Sequence, residues 1–153
     1  MCAIAGLVLK GGAVSRAMLE PMAERLAHRG PDGTGFFVQG AFGLAHTRLS
    51  IIDLEGGQQP ILTDDGNAAF VANGEIYNHI ELRNELEQQG RIFSTHSDSE
   101  CILQAYALDQ RDFVSRLNGM FAFAVFDGER RRITLGRDRM GIKPLFYALL
   151  PDR

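Results

Sequence analysis

The second residue of the chain, Cys2, directly follows the initiator methionine and is the first candidate for chemistry. Removal of Met1 would leave a thiol and a free α-amine on one residue. An α-amine has a pKa of about 7.7 to 8.0, so near neutral pH part of it is a free base that can help to move the thiol proton. Position alone leaves a second interpretation open, in which Cys2 is simply an early residue of a buried strand.

Six short segments of the chain carry the other residues that could bind or react. They are residues 2–6 (CAIAG), 28–33 (HRGPDG), 46–51 (HTRLSI), 73–78 (NGEIYN), 97–100 (SDSE) and 137–144 (RDRMGIKP). In this order, and over essentially the whole chain, they resemble the class II glutamine amidotransferase domain of asparagine synthetases. The forms HRGPDG and HTRLSIID are more similar to the asparagine synthetase branch than to the glucosamine-phosphate or phosphoribosyl amidotransferases.

The resemblance implies both a reaction and a fold. The reaction is hydrolysis of L-glutamine to glutamate and ammonia through a glutamyl thioester on Cys2. The implied fold is α+β, a four-layer αββα sandwich in which two antiparallel sheets are flanked by helices, as in N-terminal-nucleophile hydrolases. No cofactor or metal is expected in this domain, because ATP and Mg would serve only a separate synthetase domain.

The resemblance also assigns the groups that meet each part of the glutamine molecule. Arg48 corresponds to the arginine that holds the α-carboxylate, and a guanidinium offers a planar fork for that pairing. Glu75 and Asp98 correspond to the contacts of the α-ammonium, where Glu75 acts through its side chain or its backbone. The alternatives are a surface salt bridge for Arg48 and a helix cap for Asp98.

The attack of a thiolate on a carboxamide creates an oxyanion that needs fixed hydrogen-bond donors. By the same resemblance, the side-chain amide of Asn73 and the backbone N–H of Gly74 form this oxyanion hole, and Ile51 belongs to the glutamine-binding residues. Without the resemblance, Asn73-Gly74 after a strand is a favoured hairpin turn.

The remaining polar residues of these segments and the second cysteine are predicted to be structural. Cys101 lies among apolar residues of a predicted helix and is interpreted as a core residue. No ligand spacing relates the four histidines, which are His28, His46, His79 and His96. The charged motif residues without an assigned contact are interpreted as ion pairs, turn-formers or part of a face that docks another domain: Arg29, Asp32, Arg137, Asp138, Arg139 and Lys143.

The elements that must position these residues follow from hydrophobic periodicity and turn signals. Strands are predicted over residues 2–9, 36–38, 42–47, 49–52, 61–63, 68–72, 120–126, 132–137 and 145–150. One helix is predicted between Ser15 and His28, where Pro21 implies a late start or a kink. Two more follow Asn78 and the segment 97–100, and Gly90 is placed to end the first of these two. Strands, a helix pair and strands again favour an α+β layered sandwich.

Net charge, the length of apolar runs and the cysteine content exclude several kinds of protein. The net charge is −3 and the arginines are scattered among acidic residues, so a nucleic-acid partner is not expected. No apolar run approaches the ~20 residues needed to cross a bilayer, and no leader segment is apparent, which favours a cytoplasmic protein without membrane contact. Two distant cysteines indicate neither a disulfide framework nor a zinc site.

Residues 1–153 are predicted to form one glutaminase domain of a longer protein. A turn at Pro151 should lead into a further strand, and no SGG-type pyrophosphate loop occurs, so we expect the C-terminal strand or strands and the synthetase domain to lie outside these residues. The expected partners are L-glutamine and that synthetase domain in cis. The ammonia acceptor and a homodimer are left open.

Two other functions fit part of the sequence. One is a non-catalytic module of the same fold that binds glutamine or a protein partner. The other is an N-terminal-nucleophile amidase that acts on a different amide, which would leave Arg48 and Asp98 without a purpose. Turnover of free L-glutamine, but not of simple amides that lack the α-groups, discriminates between them.

Overall fold

The structure is a computed structural model that describes residues 2–50, 53, 56–63 and 66–151. Two antiparallel sheets account for its strands. The first sheet contains β1 (Ala3–Val8), β2 (Gly33–Gln39) and β3 (Phe42–Arg48) in the order β1-β3-β2. The second contains β4 (Ile61–Leu62), β5 (Ala68–Ile76), β6 (Gly119–Asp127) and β7 (Arg132–Arg137) in the order β4-β5-β6-β7.

Helices cover the outer faces of the two sheets. The first, α1 (Arg16–Leu26), packs on β1 and β3, and a 3-10 turn at Ala27–Arg29 follows it. The helices α2 (His79–Gln88) and α3 (Glu100–Leu108) pack on the second sheet, and a further 3-10 turn at Phe113–Arg116 leads into β6. The order of the layers is helix, sheet, sheet, helices, so the predicted α+β sandwich is confirmed.

The two-residue period of the strands divides the core between the layers. In β5, Phe70 points toward α2 and α3, whereas Val71 points toward the first sheet. Leu44 from β3 and Phe126 from β6 meet Val71 between the sheets. Because alternate residues of one strand serve different cores, a shift of register by one residue would expose both sets at once.

The helix α1 differs from its prediction at its start and in its buried face. It begins at Arg16, upstream of Pro21, so the late start is wrong. The residues that it buries are Leu19 and Ala23, four positions apart, while Met18 is exposed. Packing of Leu19 and Ala23 on the first sheet therefore outweighs the backbone donor that the helix lacks at Pro21.

Two of the predicted strands differ from the structure. In the strand predicted over 49–52, Leu49 and Ser50 lie beyond the end of β3, and the backbone of Leu49 bonds to the Cys2 thiol instead of a strand. Ile51 and Ile52 lie outside the described residues. Residues 145–150 join no sheet, and Phe146 is 90 % exposed. A strand needs a partner for its backbone groups. Here the Leu150 carbonyl accepts a hydrogen bond from the Lys10 ammonium at 3.1 Å instead.

The remaining strands are found, but β2 begins three residues before its predicted start and β5 continues four residues beyond its predicted end. Both long hairpins, β2–β3 and β6–β7, are present with antiparallel pairing. Gly90 ends α2 with a φ of 81°, the left-handed conformation that glycine favours.

The packing of α2 predicts a contrast between two of its aliphatic residues. Leu86 is 0 % exposed in the core beneath the helix, whereas Ile80 is 61 % exposed on its other side. Leu86→Ala should lower the free energy of unfolding by about 2–5 kcal/mol, because it leaves a cavity. Ile80→Ala should change it by less than about 0.5 kcal/mol. Urea unfolding of both variants measures the difference, and similar losses would contradict this packing of α2.

Candidate active site

Residues of the first sheet that face the second sheet converge at one end of the sandwich. Ile4 and Leu44 lie in the core between the sheets. Because side chains alternate along a strand, Cys2 shares the face of Ile4, and His46 and Arg48 share the face of Leu44. Strand register places Thr47 opposite Ala3, so Cys2 lies beside the end of β3.

The Cys2 thiol is held by the backbone of Leu49. The Leu49 N–H donates to the Cys2 sulfur at 3.4 Å, and the sulfur lies 3.6 Å from the Leu49 carbonyl oxygen. The backbone carbonyl of Cys2 accepts a bond from the Arg29 Nε at 3.5 Å. The thiol is partly buried and remains a free cysteine. Both ends of this residue are therefore fixed by β3 and by the turn after α1.

Arg48 is a buried cation at the end of β3, so its interpretation as a surface salt bridge is wrong. Its Nη2 donates to the backbone carbonyl of Asp53. Burial would raise the pKa of the Asp53 carboxyl, but N–H groups of His96 at 2.8 Å and Gly56 at 2.9 Å outweigh it and lower that pKa. Asp53 is thus ionised, and its bonds link the arginine to His96 and Gly56.

Beyond the two residues that pair with β4, backbone groups on the outer edge of β5 form hydrogen bonds with side chains instead of a strand. The Ala72 N–H donates to the Gln59 Oε1 at 2.6 Å, and the His46 Nε2 donates to the Ala72 carbonyl at 3.1 Å. Two residues along, the Ile76 N–H donates to the Asp98 Oδ2 at 2.7 Å, and the His79 Nδ1 donates to the Ile76 carbonyl at 2.9 Å.

Gly74 lies between Ala72 and Ile76 on the same edge of β5. Backbone groups of alternate residues point to the same side of a strand, so the Gly74 N–H and carbonyl point away from β6. Gly74 also lines the cavity that contains Cys2. A Cβ at this position would come within 2.2 Å of the Met120 carbonyl oxygen of β6, so the close approach of the two strands requires glycine.

Asn73 and Gly74 lie within β5 and not in a turn. Asn73 pairs with Ala122 and Gly74 with Phe121, so the interpretation as a hairpin turn is wrong. The Asn73 side chain is buried on the face between the sheets, and Asn73 is not among the residues that line the cavity. Its neighbour Glu75 lines the cavity, and the strand alternation directs the Glu75 backbone to β6. The Glu75 side chain is therefore the group that faces the cavity.

Asp98 precedes α3 but does not cap it with its side chain. Its carboxylate accepts from the Ile76 N–H of β5, and the Ser99 hydroxyl lies 3.5 Å from its other oxygen. The N-cap residue of α3, Ser99, makes no side-chain capping bond. The helix-cap interpretation of Asp98 is thus wrong, and this carboxylate joins α3 to the open edge of β5.

Two carboxylates and a buried lysine share one wall of this site. Burial and the nearby Asp98 raise the pKa of Glu75, and Lys143 and His79 oppose that rise. Lys143 is only 4 % exposed and lines the cavity with both acids. It was interpreted from sequence as an ion pair, turn-former or docking residue, and its position in the cavity is a finding of the structure.

His46 is buried as a neutral imidazole. Burial lowers its pKa to about 4, the hydrogen bond to Ala72 acts in the opposite direction, and the charge of Arg48 lowers the pKa further. At neutral pH the ring therefore carries its proton on Nε2 and holds the carbonyl of Ala72, a role that fits the structural interpretation of this histidine.

A cavity of about 160 Å³ joins most of the predicted site. It is lined by Cys2, Arg48, Gly74, Glu75 and Asp98, together with His46, Gln59 and Lys143. Ile51 lies outside the described residues. A larger cavity of about 480 Å³ lies between α3 and the β6–β7 hairpin, and none of the predicted site residues lines it. We place the site in the smaller cavity because only that one contains the thiol.

The lining residues that were not predicted to contact a ligand include His46, Gln59 and Lys143. His46 could have been found from its two-residue spacing to Leu44 and Arg48, which share its face. Gln59 lies in a predicted loop and Lys143 follows a turn, and neither has a periodic neighbour that reveals its direction.

The described residues contain neither a metal-binding cluster nor a membrane-spanning helix. Within residues 2–50, 53, 56–63 and 66–151, no group of three His, Cys, Asp or Glu residues could hold a metal ion. In the same ranges, none of the helices combines the length and apolar character that a membrane span requires.

Comparison with known proteins identifies relatives over the full length of the chain. The family model of the glutamine amidotransferase domain matches residues 1–153. Asparagine synthetase [glutamine-hydrolyzing] 1 of Bacillus subtilis is 40 % identical over 157 residues, which cover 100 % of this chain and 25 % of that protein. Asparagine synthetase B [glutamine-hydrolyzing] of Escherichia coli is 40 % identical over 148 residues, covering 95 % of this chain and 26 % of the relative. The chain spans about a quarter of the length of these curated relatives.

A solved structure shares the fold. Glutamine phosphoribosylpyrophosphate amidotransferase from B. subtilis, complexed with ADP and GMP, superposes with a TM-score of 0.65 at 21 % identity. The match covers 84 % of this chain and 35 % of that one. At this identity the match shows a shared fold, the layered α+β sandwich.

The neutral state of His46 predicts a pH dependence of stability. An unfolded histidine has a pKa of about 6.5, so between about pH 6.5 and 4 the unfolded chain takes up a proton here that the folded chain does not. The free energy of unfolding should therefore fall as the pH is lowered from 7 to 5, by about 2 kcal/mol from this residue. His46→Gln keeps a donor for Ala72 but cannot titrate, so it should lose that part of the slope.

Urea unfolding at pH 5, 6 and 7 measures this slope. The control is His28→Gln, because His28 is exposed and its substitution should leave the slope unchanged. Equal slopes for His46→Gln and the unsubstituted chain would contradict the burial of a neutral His46.

Proposed function

Because this chain belongs to the glutamine amidotransferase domain family, we propose that it hydrolyses L-glutamine to glutamate and ammonia, with Cys2 as the nucleophile. The observation that carries the proposal is the cavity in which the Cys2 thiol lies with one buried arginine and two acids. A free amino acid is a zwitterion, and these side chains offer a cation for its carboxylate and anions for its ammonium.

In the proposed complex, Arg48 binds the α-carboxylate of glutamine, and Glu75 and Asp98 bind its α-ammonium. Support comes from the burial of Arg48 and from the bond of the Ile76 N–H, which fixes the Asp98 carboxylate. A fixed charge needs little reorganisation when the substrate arrives, so it discriminates well between glutamine and amides without α-groups. We include Ile51 among the glutamine-binding residues as well.

The proposed first step is attack of the Cys2 sulfur on the glutamine carboxamide carbon. The thiol proton passes to the α-amine of Cys2 once Met1 has been removed, a carbon–sulfur bond forms, and the carbonyl oxygen becomes an oxyanion. The N–H groups of Ala72 and Ile76, on the same edge of β5, are already bonded to Gln59 and Asp98. The Gly74 N–H between them is proposed to donate to this oxyanion. We assign the second donor to the Asn73 side-chain amide.

The intermediate then collapses in two stages. The carbon–nitrogen bond breaks, the proton from the amine leaves with the nitrogen as ammonia, and a glutamyl thioester remains on Cys2. Water adds to the thioester carbon, the carbon–sulfur bond breaks, and the thiol and free glutamate are released. Every proton in this sequence is moved by the α-amine or by water, and no cofactor or metal is required.

The ammonia is proposed to pass to an ATP-dependent synthetase domain. The relatives named asparagine synthetases are about four times as long as this chain, which leaves ample length for such a domain. ATP and Mg would act there, and aspartate or another carboxylate would accept the ammonia. Homodimer formation, a cytoplasmic location and the absence of nucleic-acid and membrane contacts stay predictions.

Labelling with a glutamine analogue tests the nucleophile. The chain without Met1 should react with 6-diazo-5-oxo-L-norleucine at Cys2 alone and release glutamate from glutamine. Cys2→Ala should show no labelling and no turnover but retain glutamine binding, because Ala removes only the sulfur. Intact mass, peptide mapping and a glutamate assay provide the measurements. Glutamine binding without labelling or glutamate release by the processed chain would favour the non-catalytic module.

The role of Asn73 predicts a specific kinetic loss. Asn73→Ala removes one oxyanion donor and should lower kcat by about 10² to 10³ with a smaller change in KM. Asn84→Ala on the exposed face of α2 is the matched control and should keep full activity. If Asn73→Ala turns over glutamine at the unsubstituted rate, Asn73 is not an oxyanion donor.

A further inference from the structure

One of the charged side chains that line the cavity has no role in the glutamine contacts proposed above. Arg48, Glu75 and Asp98 account for the two charged groups of glutamine and sum to a charge of −1 when ionised. Lys143 is the fourth charged side chain that lines the cavity, and it is 4 % exposed. With Lys143 the wall carries two cations and two anions, which matches a zwitterion of zero net charge.

We propose that Lys143 is a positioning residue for substrate recognition, whose ammonium holds Glu75 and Asp98 ionised side by side so that both can bind the substrate's α-ammonium. The proposal rests on the proposed glutamine hydrolysis and adds a residue to its recognition step. Two carboxylates that share a site repel each other, and one of them is neutralised unless a cation lies close by.

The backbone around Lys143 is built to deliver this side chain to the cavity. The Asp138 carboxylate accepts bonds from the N–H groups of Lys143 at 2.9 Å, Ile142 at 2.8 Å and Phe121 at 3.2 Å. The Arg137 Nε donates to the Lys143 carbonyl at 2.9 Å. Phe121 is the partner of Gly74 in the sheet, so Asp138 ties Lys143 to the strand pair that forms the site.

The electrostatics of Glu75 agree with this geometry. Burial and the nearby Asp98 raise the pKa of Glu75. The charge of Lys143 opposes this rise, and it does so more strongly than His79. Removal of the Lys143 charge would therefore raise the pKa of Glu75 further. Protonation of Glu75 would then compete with binding of the substrate ammonium at a higher pH.

Other titratable groups face the same pair and must be separated from Lys143. The first sheet and the chain start contribute Cys2, His46 and Arg48, and α2 contributes His79. Glu100 of α3 is directed elsewhere, since its carboxylate accepts bonds from Ser94 and Thr95. These groups are unchanged in a Lys143 variant, so a pH dependence that appears only in the variant is due to Lys143.

The experiment measures glutamine binding without chemistry. In the Cys2→Ala chain, the Kd of L-glutamine should be nearly constant from about pH 8 down to the pKa of Glu75. Adding Lys143→Met should move that pKa upward, so that below it the Kd rises by about tenfold per pH unit. Lys143→Arg keeps the cation and should restore the constant Kd. Titration calorimetry from pH 5 to 8.5 gives all three profiles.

A second ligand separates recognition of the ammonium from general damage. Glutaramate is glutamine without its α-ammonium, so its Kd should not rise at low pH in the Lys143→Met chain. If Lys143→Met does not fold by circular dichroism, Lys143→Gln replaces it with the same expectations. Lys10→Met removes an exposed lysine and is the control for net charge.

Two results would overturn the role of Lys143. In the first, the Kd of L-glutamine depends on pH in the same way in the Lys143→Met chain and in its Cys2→Ala parent, even if the variant binds more weakly. In the second, the pH dependence of the Lys143→Arg chain is the same as that of the Lys143→Met chain. Failure of the proposed function is distinct, because the processed chain with Cys2 and Lys143 would then release no glutamate from glutamine. That result would remove both proposals together.

Discussion

The open edge of β5 is the constraint around which the site is arranged. β4 is only two residues long and pairs with β5 at Phe70 and Ala69, so among the described residues no strand pairs with the later part of β5 on that side. Buried backbone groups must nevertheless be paired. Side chains from the loop before β4, from β3, from α2 and from the segment before α3 supply those pairs. Three of these side chains, Gln59, His46 and Asp98, also line the cavity, so the same bonds bring separate parts of the chain to the site.

Main-chain hydrogen bonds orient three side chains of the site that lie at the ends of elements. Asp98 is held by a backbone N–H of β5, Arg48 by the carbonyl of Asp53, and the Cys2 thiol by the backbone of Leu49. Each of these three side chains is thus oriented by main-chain groups of a neighbouring segment. Such preorganisation reduces the free energy that must be spent on ordering groups when substrate binds or charge develops.

The sequence predicts the strongly periodic parts of the molecule and misses those decided by distant contacts. Strand-forming runs on either side of glycine-containing turns identify the β2–β3 and β6–β7 hairpins, and a spacing of four residues identifies α2. Asn73-Gly74 has the composition of a turn, yet β6 extends the strand through it, because a long partner outweighs local preference. Residues 145–150 have the composition of a strand but lack a partner. Lys143 is directed inward by Asp138, a contact that no periodic pattern reveals.

The residues that complete the β5 edge also have a consequence for association. An exposed strand edge can template the addition of a strand from another molecule, and natural proteins cover or interrupt such edges. Gln59, His46, Asp98 and His79 occupy the groups at Ala72 and Ile76 that an incoming strand would use. The contacts that shape the cavity therefore also protect the sheet from intermolecular β-pairing.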